Sequence, residues 1–571
     1  MRYTLLALGT LLCAACRGGD DSDAYTPDLA CPGDASGVCD LVEDAPLRAG
    51  AAVVSIVPEC YETWQDSNGD HQWTGTEPIH DCGCDRLCPG DEGYPGPDEG
   101  EDDDQFQAQW LAGGGHSIPV NGVRDASMGL RGEGDGLWAR ALVLEQGNTT
   151  VAIVAFDLIG LFYDDTLRIR DLATTRGLDL DHLVVHATHV HAGPDTMGIW
   201  GPNITQTGYD PRYVEQVRSA AVDAIEQALD GLTEVTLTLG EVDAAAYSPE
   251  KGVFNVNSDT RDPWIIRNEL RAARFADASG DTVATLVNWA SHPETLLGSN
   301  ALMTSGFVHA LRATVEEGVT WDTYSRSGVG GPCIYINGAL GGMMTTLRVD
   351  PIDPDGNEWT EKSFEAVDVI GQLLGEMALD AIEEGESSAA PQLSFQVEKF
   401  EVPIENHGLQ AMSLLGVIDR ATTRWDPEQP IDDDNLPWVV TEVDVLTVGS
   451  MQWLTIPGEP LPELIIGGYD GSRVNAPGKE LVSSDNPNPP DLEAAPPGPY
   501  LADLMTAEHK WIVGLGNDEL GYIIPAYDFE LHSGVPYVLP AEGHYEETNS
   551  LGPDMADRIE KVAAALLQWT P

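Results

Sequence analysis

From Val151 onward the chain alternates short apolar runs with longer amphipathic ones: "VAIVAFDLIGLF", "TLRIRDLATTRG", "HLVVHATHVH", "RYVEQVRSAAVDAIEQALDG" and "TVATLVNWASH". Strand-length runs that alternate with helix-period runs bury their apolar faces together only when helices cover sheets, which predicts an α/β body. A second alternating half runs through "CIYINGALGG", "EAVDVIGQLLGEMALDAIEEG" and "VLTVGSMQWLTIPGE", and "PDMADRIEKVAAALLQW" closes it as an amphipathic helix. No internal repeat and no linker interrupts residues 47–571, so the expected fold is one large α/β domain of mixed β-sheets with packed helices. Its first strand is "LRAGAAVVSIVPE".

Charge narrows the partners. Lys+Arg 29 against Asp+Glu 94 gives −65 and a pI near 4.1. Phosphate backbones and anionic lipid surfaces repel such a chain, which argues against nucleic-acid binding. The N-terminus, "MRYTLLALGTLLCAACRGGDDSD", has a basic residue, a short apolar stretch, small residues and then an acidic segment, the layout of an export signal. "LCAAC" resembles a bacterial lipoprotein signal that ends at Cys16 as the lipidated residue; an ordinary secretion signal cut nearby is the alternative. The expectation is a signal over 1–16, a flexible acidic tether over 17–46, and an exported protein lipid-anchored at the bacterial cell envelope. No later run is long and apolar enough to span a bilayer.

Residues 59–115 form a Cys/Asp/Gly/Pro-rich acidic insertion without helical or strand periodicity. Cys31, Cys39, Cys60, Cys82, Cys84 and Cys88 in an exported chain suggest three disulfides, with fifteen connectivities open. A thiolate metal site at "CGC…C" is the other option, which an oxidising compartment disfavours. Cys333, in an apolar run, reads as a buried free thiol. Within the insertion, "DSNGDHQWTGTE" places Asp66, Asn68, Asp70, Gln72 and Glu77 at the ligand positions of an EF-hand-like calcium loop, with His71 where glycine is usual. An acidic loop with no ion is the bland reading.

Only 13 histidines occur, and three fall in "VVHATHVHAGPD". Residues two apart on a strand share a face, so His189 and His191 are expected to point one way and His186 the other. Such a pair either aims two imidazoles at one site or is structural. His292 ends another apolar run, and Glu459 follows a strand and a Pro-Gly turn. No G-x-S-x-G, phosphate loop or H-E-x-x-H occurs, so any chemistry is assembled from dispersed residues.

In order, "HATHVHAGPDTMGIWGP", "LVNWASHPETLLGSNALMTSG", "IYINGALGG", "LTIPGEP", "LGNDELGYIIPAYDF" and "GHYEETNSLGP" resemble the neutral (non-lysosomal) ceramidases, from about Leu47 to the C-terminus. The resemblance implies one catalytic zinc ion held by His189, His292, Glu459 and Tyr522, with His191 and Tyr545 as polar catalytic groups. It implies hydrolysis of an N-acyl, ceramide-like amide by zinc-activated water, with a neutral lipid or another N-acyl compound as substrate. Two imidazoles and a carboxylate are good zinc ligands, and a phenolate needs the metal's charge to stay ionised.

The chain departs from the family pattern in three places. "GALGGMMTT" puts Gly342 and Met344 where the family has Asp and Ser, with Thr345 one residue late. Met343 and Met344 are expected to make the reaction-centre wall apolar. The family's substrate-binding arginine has no match near "AAYSPEKGVFNVNSD", and its C-terminal immunoglobulin-like domain has no counterpart after the closing helix. Two further readings stand beside the first: a zinc hydrolase of the same fold acting on another amide or ester, and a non-catalytic surface calcium- or lipid-binding protein. Nothing in the sequence specifies an oligomeric state.

Overall fold

The computed structural model describes residues 25–33, 45–70, 73–124, 135–294, 296–345, 347–360, 362–388 and 391–570. Cys16 and Gln72 lie outside them. Three five-stranded sheets organise the chain. The first takes Leu47–Ser55, Trp138–Gln146, Thr149–Phe156, His182–Ala187 and Thr233–Glu234. The second takes Thr236–Asp243, Glu269–Ala276, Thr282–Trp289, Cys333–Asn337 and Glu386–Ser388. The third takes Leu29–Cys31, Leu393–Pro403, Trp438–Val448, Met451–Thr455 and His509–Val513.

Each sheet turns one face into a shared core, where Leu144 and Ile153 meet Phe275 and Leu286 and both meet Phe395, Trp453 and Trp511. The other faces lie under helices. Pro211–Asp230 covers the first sheet with Val214, Val217, Ala221, Ile225 and Ala228, a buried stripe at helical spacing, and Asp210 caps it by accepting from Arg212 N. Phe307–Glu317 and Phe364–Glu384 cover the second, and Met555–Gln568 the third. The mixed α/β class therefore follows from burying two faces per sheet.

All pairings within these sheets are antiparallel except one in each. Thr149–Phe156 runs parallel to His182–Ala187, Thr282–Trp289 to Cys333–Asn337, and Met451–Thr455 to His509–Val513. These three parallel pairs end close together, and the candidate site is built just beyond their C-terminal ends, where strand ends in α/β proteins leave a crevice.

The acidic segment expected to be a tether is not uniform. Leu29–Cys31 pairs with Phe395–Val397 as an edge strand, and Ala30 and Cys31 are buried. Its small apolar residues complete a sheet edge, a role their low local hydrophobicity hides. Among its described residues the insertion carries only the two-residue strands Thr63–Trp64 and Ile79–His80, and disulfides Cys60–Cys84 and Cys82–Cys88 staple it. Cys31 is also disulfide-bonded, and Cys333 is a buried free thiol. Among the described residues no helix is long and apolar enough to cross a membrane.

Candidate metal centre

His182–Ala187 ends before the histidine pair, so strand alternation does not aim it. His189 instead adopts a left-handed backbone, φ 67°, in the turn after the strand, and that rotation directs its ring inward. His186 stays in the strand and is fully buried. Its Nδ1 is 2.9 Å from Gly514 O and its Nε2 accepts from Asn337 N at 3.0 Å, so the first and second sheets are pinned through it.

His189 donates from Nδ1 to Ile159 O at 2.7 Å, and His292 donates from Nδ1 to Met343 O at 2.7 Å. Both carbonyls accept only, so they fix the tautomer and leave each Nε2 as a lone pair. Those lone pairs converge on one carboxylate: Glu459 Oε2 lies 3.5 Å from His189 Nε2 and 2.9 Å from His292 Nε2. Glu459 and Tyr522 are neighbours in a short parallel pairing, and the Tyr522 hydroxyl is 3.2 Å from His292 Nε2. Tyr545 closes the group, its hydroxyl 2.6 Å from that of Tyr522. Three acceptors facing one another without a proton between them repel unless a cation sits among them, so the donor set fits a divalent metal ion.

His191 belongs to the same cluster. Ligand atoms of His189, His191 and His292 lie within 4.8 Å of one another, as do those of His189, Glu459 and Glu519. Gly113 passes so close to His191 that a Cβ there would lie 2.2 Å from Nδ1, and its φ of 79° also suits glycine. Burial, reinforced by His189 and His292, holds the His191 pKa well below the ordinary histidine value. Its Nε2 is buried without a hydrogen-bond partner.

Electrostatics set the surrounding groups apart. Burial opposes charge on Glu459, but His189 and His292 beside it keep its carboxyl below the usual range. Burial and the Glu459 charge push the Tyr522 phenol well above 10 when no cation is present. His189, His191, Glu459, Tyr522 and Tyr545 line one pocket whose wall includes Ile159, Phe162, Met197, Leu409 and Ile418, with His292 buried behind it.

The structure superposes on neutral ceramidase from Pseudomonas aeruginosa with a TM-score of 0.56 at 14% sequence identity, over 92% of this chain and 74% of that one. A ceramidase complexed with C2 aligns with a TM-score of 0.54 at 14% identity, over 92% of this chain and 75% of that one. The chain has a neutral ceramidase-like fold. No protein-family model and no curated relative matches the sequence significantly.

Within this neutral ceramidase-like fold, sequence reasoning passed over two carboxyls. Glu294 lies 3.1 Å from His191 Nδ1; burial pushes its pKa up to about 7, with the Glu459 charge adding to the rise. Glu519 accepts from Gly521 N at 2.8 Å, and burial next to Glu459 raises its pKa well above the ordinary value. The signals lay inside motifs already noted, Glu294 in "SHPE" and Glu519 in "NDELGY". Arg420, also unremarked, lines the pocket with its guanidinium 2.5 Å from Asp518.

One expectation is corrected. Met343 and Met344 do not line the pocket. Met343 is packed in the core of the second sheet and only its carbonyl reaches the site, through His292. Thr345 is also buried, with its hydroxyl donating to His292 O at 2.8 Å. Met343 there supports the histidine through its backbone carbonyl, while Gly342 O accepts from Thr260 N at 2.9 Å.

In the 66–77 loop, Asp66 accepts from Gly69 N at 2.7 Å, Asn68 from Asp70 N at 3.0 Å, and Glu77 from Thr74 N at 3.0 Å. The side-chain oxygens already gather around the loop's own amides.

Proposed function

We propose that the chain is a zinc-dependent amidohydrolase that cleaves an N-acyl, ceramide-like amide bond. The observation that carries this reading is the convergence of two tautomer-fixed imidazoles on one buried carboxylate, in a pocket with an apolar wall and in a neutral ceramidase-like fold. His189, His292, Glu459 and Tyr522 would hold the ion. When bound, zinc supplies Lewis-acid polarisation of a carbonyl and activation of water near neutral pH.

The chain's own residues account for the remaining steps. The apolar wall takes the acyl part and excludes water from it. His191, beside Glu294, carries a proton at its free ring nitrogen to the departing amine. The Tyr545 hydroxyl, oriented by Tyr522, donates a hydrogen bond to the carbonyl oxygen as negative charge builds there. Thr345 is spent on the His292 carbonyl, which favours attack by water over an acyl-enzyme.

The purified full chain, assayed on a panel of N-acyl amides and simple esters, should turn over at least one amide only when zinc is present. His191→Ala should lose turnover and keep the metal. Turnover confined to esters supports a hydrolase of the same fold with another substrate. A chain that binds no metal and turns over nothing fits the surface-binding alternative.

Two companion readings complete the proposal. Calcium would occupy the 66–77 loop, supported by side-chain oxygens at EF-hand-like spacing. Cys16 would carry a lipid that anchors the exported protein to the cell envelope, supported by the "LCAAC" signal pattern. Mass spectrometry of the mature N-terminus tests the second: any first residue other than lipidated Cys16 refutes it.

A further inference from the structure

Among the described residues, the most exposed large apolar side chains fall in three segments. Ile204, Leu414, Leu415, Val538 and Leu539 are each between 49 and 63% exposed. They fall in residues 196–209, 406–418 and 531–541, and none of these segments contains an Asp, Glu, Lys or Arg, although charged residues make up 22% of the chain. A surface meant only for solubility would not be cleared of charge in a protein of net −65.

The three segments touch one another. The rings of His407 and Tyr537 are 5.7 Å apart, joining the second to the third. Ile199 and Trp200 pack in one cluster with Leu409 and Met412, joining the first to the second. The first two segments reach the mouth of the metal-site pocket, since Trp200, Leu409 and Ser413 line it and also reach the surface, and the third lies against the second through the His407–Tyr537 contact.

The geometry points to an interfacial docking surface formed by these segments, with an uncharged or zwitterionic lipid bilayer as its partner. Two of the segments that carry the exposed tips supply Ile199, Trp200, Leu409 and Ile418 to the pocket wall, so a molecule leaving a bilayer meets apolar side chains on the way to the site. A protein partner seated there would close the pocket. Anionic bilayers are disfavoured because the rest of the surface repels them. Tips of this kind enter the boundary between headgroups and acyl chains, and their affinity scales with the apolar area they bury. The inference goes beyond the proposed reaction, since it depends on where the pocket opens and not on what occurs inside it.

Vesicle flotation tests it without any activity readout. The full chain is used with Cys16→Ser in every arm, so that a lipid attached there plays no part. The parent should float with phosphatidylcholine vesicles, insensitively to salt, and less well when phosphatidylglycerol is added. Leu414→Ser with Leu415→Ser, and separately Val538→Ser with Leu539→Ser, should each weaken partitioning by about tenfold or more. Tyr247→Ser, at a 41% exposed ring outside the three segments, should float like the parent. If one pair of substitutions prevents folding, the other pair and Ile204→Ser decide the question. A parent that does not float, or folded variants that all float equally, would overturn the inference. So would a solution dimer that these substitutions dissociate, which would assign the surface to a second copy.

Discussion

The carbonyl of Met343 holds His292 twice, accepting from its backbone N–H at 2.9 Å and from its ring Nδ1 at 2.7 Å. The donor to the metal site is thus set by a main-chain atom, and the side chain at 343 contributes only core packing. Met343→Leu should cost less than about 1.5 kcal/mol and leave metal content unchanged. Thr345→Ala should lose about 1 kcal/mol with its hydrogen bond to His292 O. Intact mass after incubation with substrate should show no acyl adduct in the parent; an adduct on Thr345 would sink the water-attack route.

Metal content separates the residues of the candidate site from the structural histidine beside it. Glu459→Ala and His292→Ala remove groups from the centre of convergence and should abolish stoichiometric zinc, read by elemental analysis. His186→Ala should keep the metal while losing roughly 2–4 kcal/mol, because it leaves a cavity and unpairs Gly514 O and Asn337 N. Equal zinc loss in all three would mean the site is assigned to the wrong atoms.

Glu463 gives the metal-free protein a defined pH dependence. Burial raises its carboxyl to about 8, with Asp528 adding to the rise. A raised carboxyl keeps its proton in the folded state after the unfolded chain has released it. Stability from this group is therefore present below about 4.5 and is lost as pH climbs towards about 8. Glu463→Gln should flatten that decline by at most about 1.4 kcal/mol per pH unit. Denaturant melts of chelated protein between these limits check it, and a parallel pair of curves would refute it.

The insertion loop should respond to calcium through mass action, since an ion that binds only folded protein adds stability as its concentration rises. Thermal stability should increase with added calcium, and Asp66→Ala with Asp70→Ala should remove the response. An undiminished response in that double variant would place the ion elsewhere among the carboxylates.

Much of this arrangement was legible before the fold was known. Apolar runs marked the strands that end at Ala187, Trp289 and Thr455, and short motifs after them contained His189, His292 and Glu459. His189 and His191 do share one site with His186 apart from it, but alternation is not the reason: His189 lies two residues past the strand, where its left-handed backbone, φ 67°, sets the ring's direction. Leu29–Cys31 was missed because a three-residue edge strand is too short to show periodicity. Glu294 and Glu519 were missed for another reason: a carboxylate inside a motif reads as solvated until burial is known, and both are buried.

Because each sheet delivers its share of the site from the end of its one parallel pair, no fragment of the chain contains the binding geometry. His189 and Tyr522 are brought together only after all three sheets have docked, and such distant pairings form late and slowly. A metal ion taken up by these residues would therefore act as a timestamp of completed folding, and it would add a second tie beside the one His186 makes to Asn337 N and Gly514 O. Chelation should in turn loosen the molecule first where the three strand ends meet, with amide exchange rising there before it rises in the helices outside.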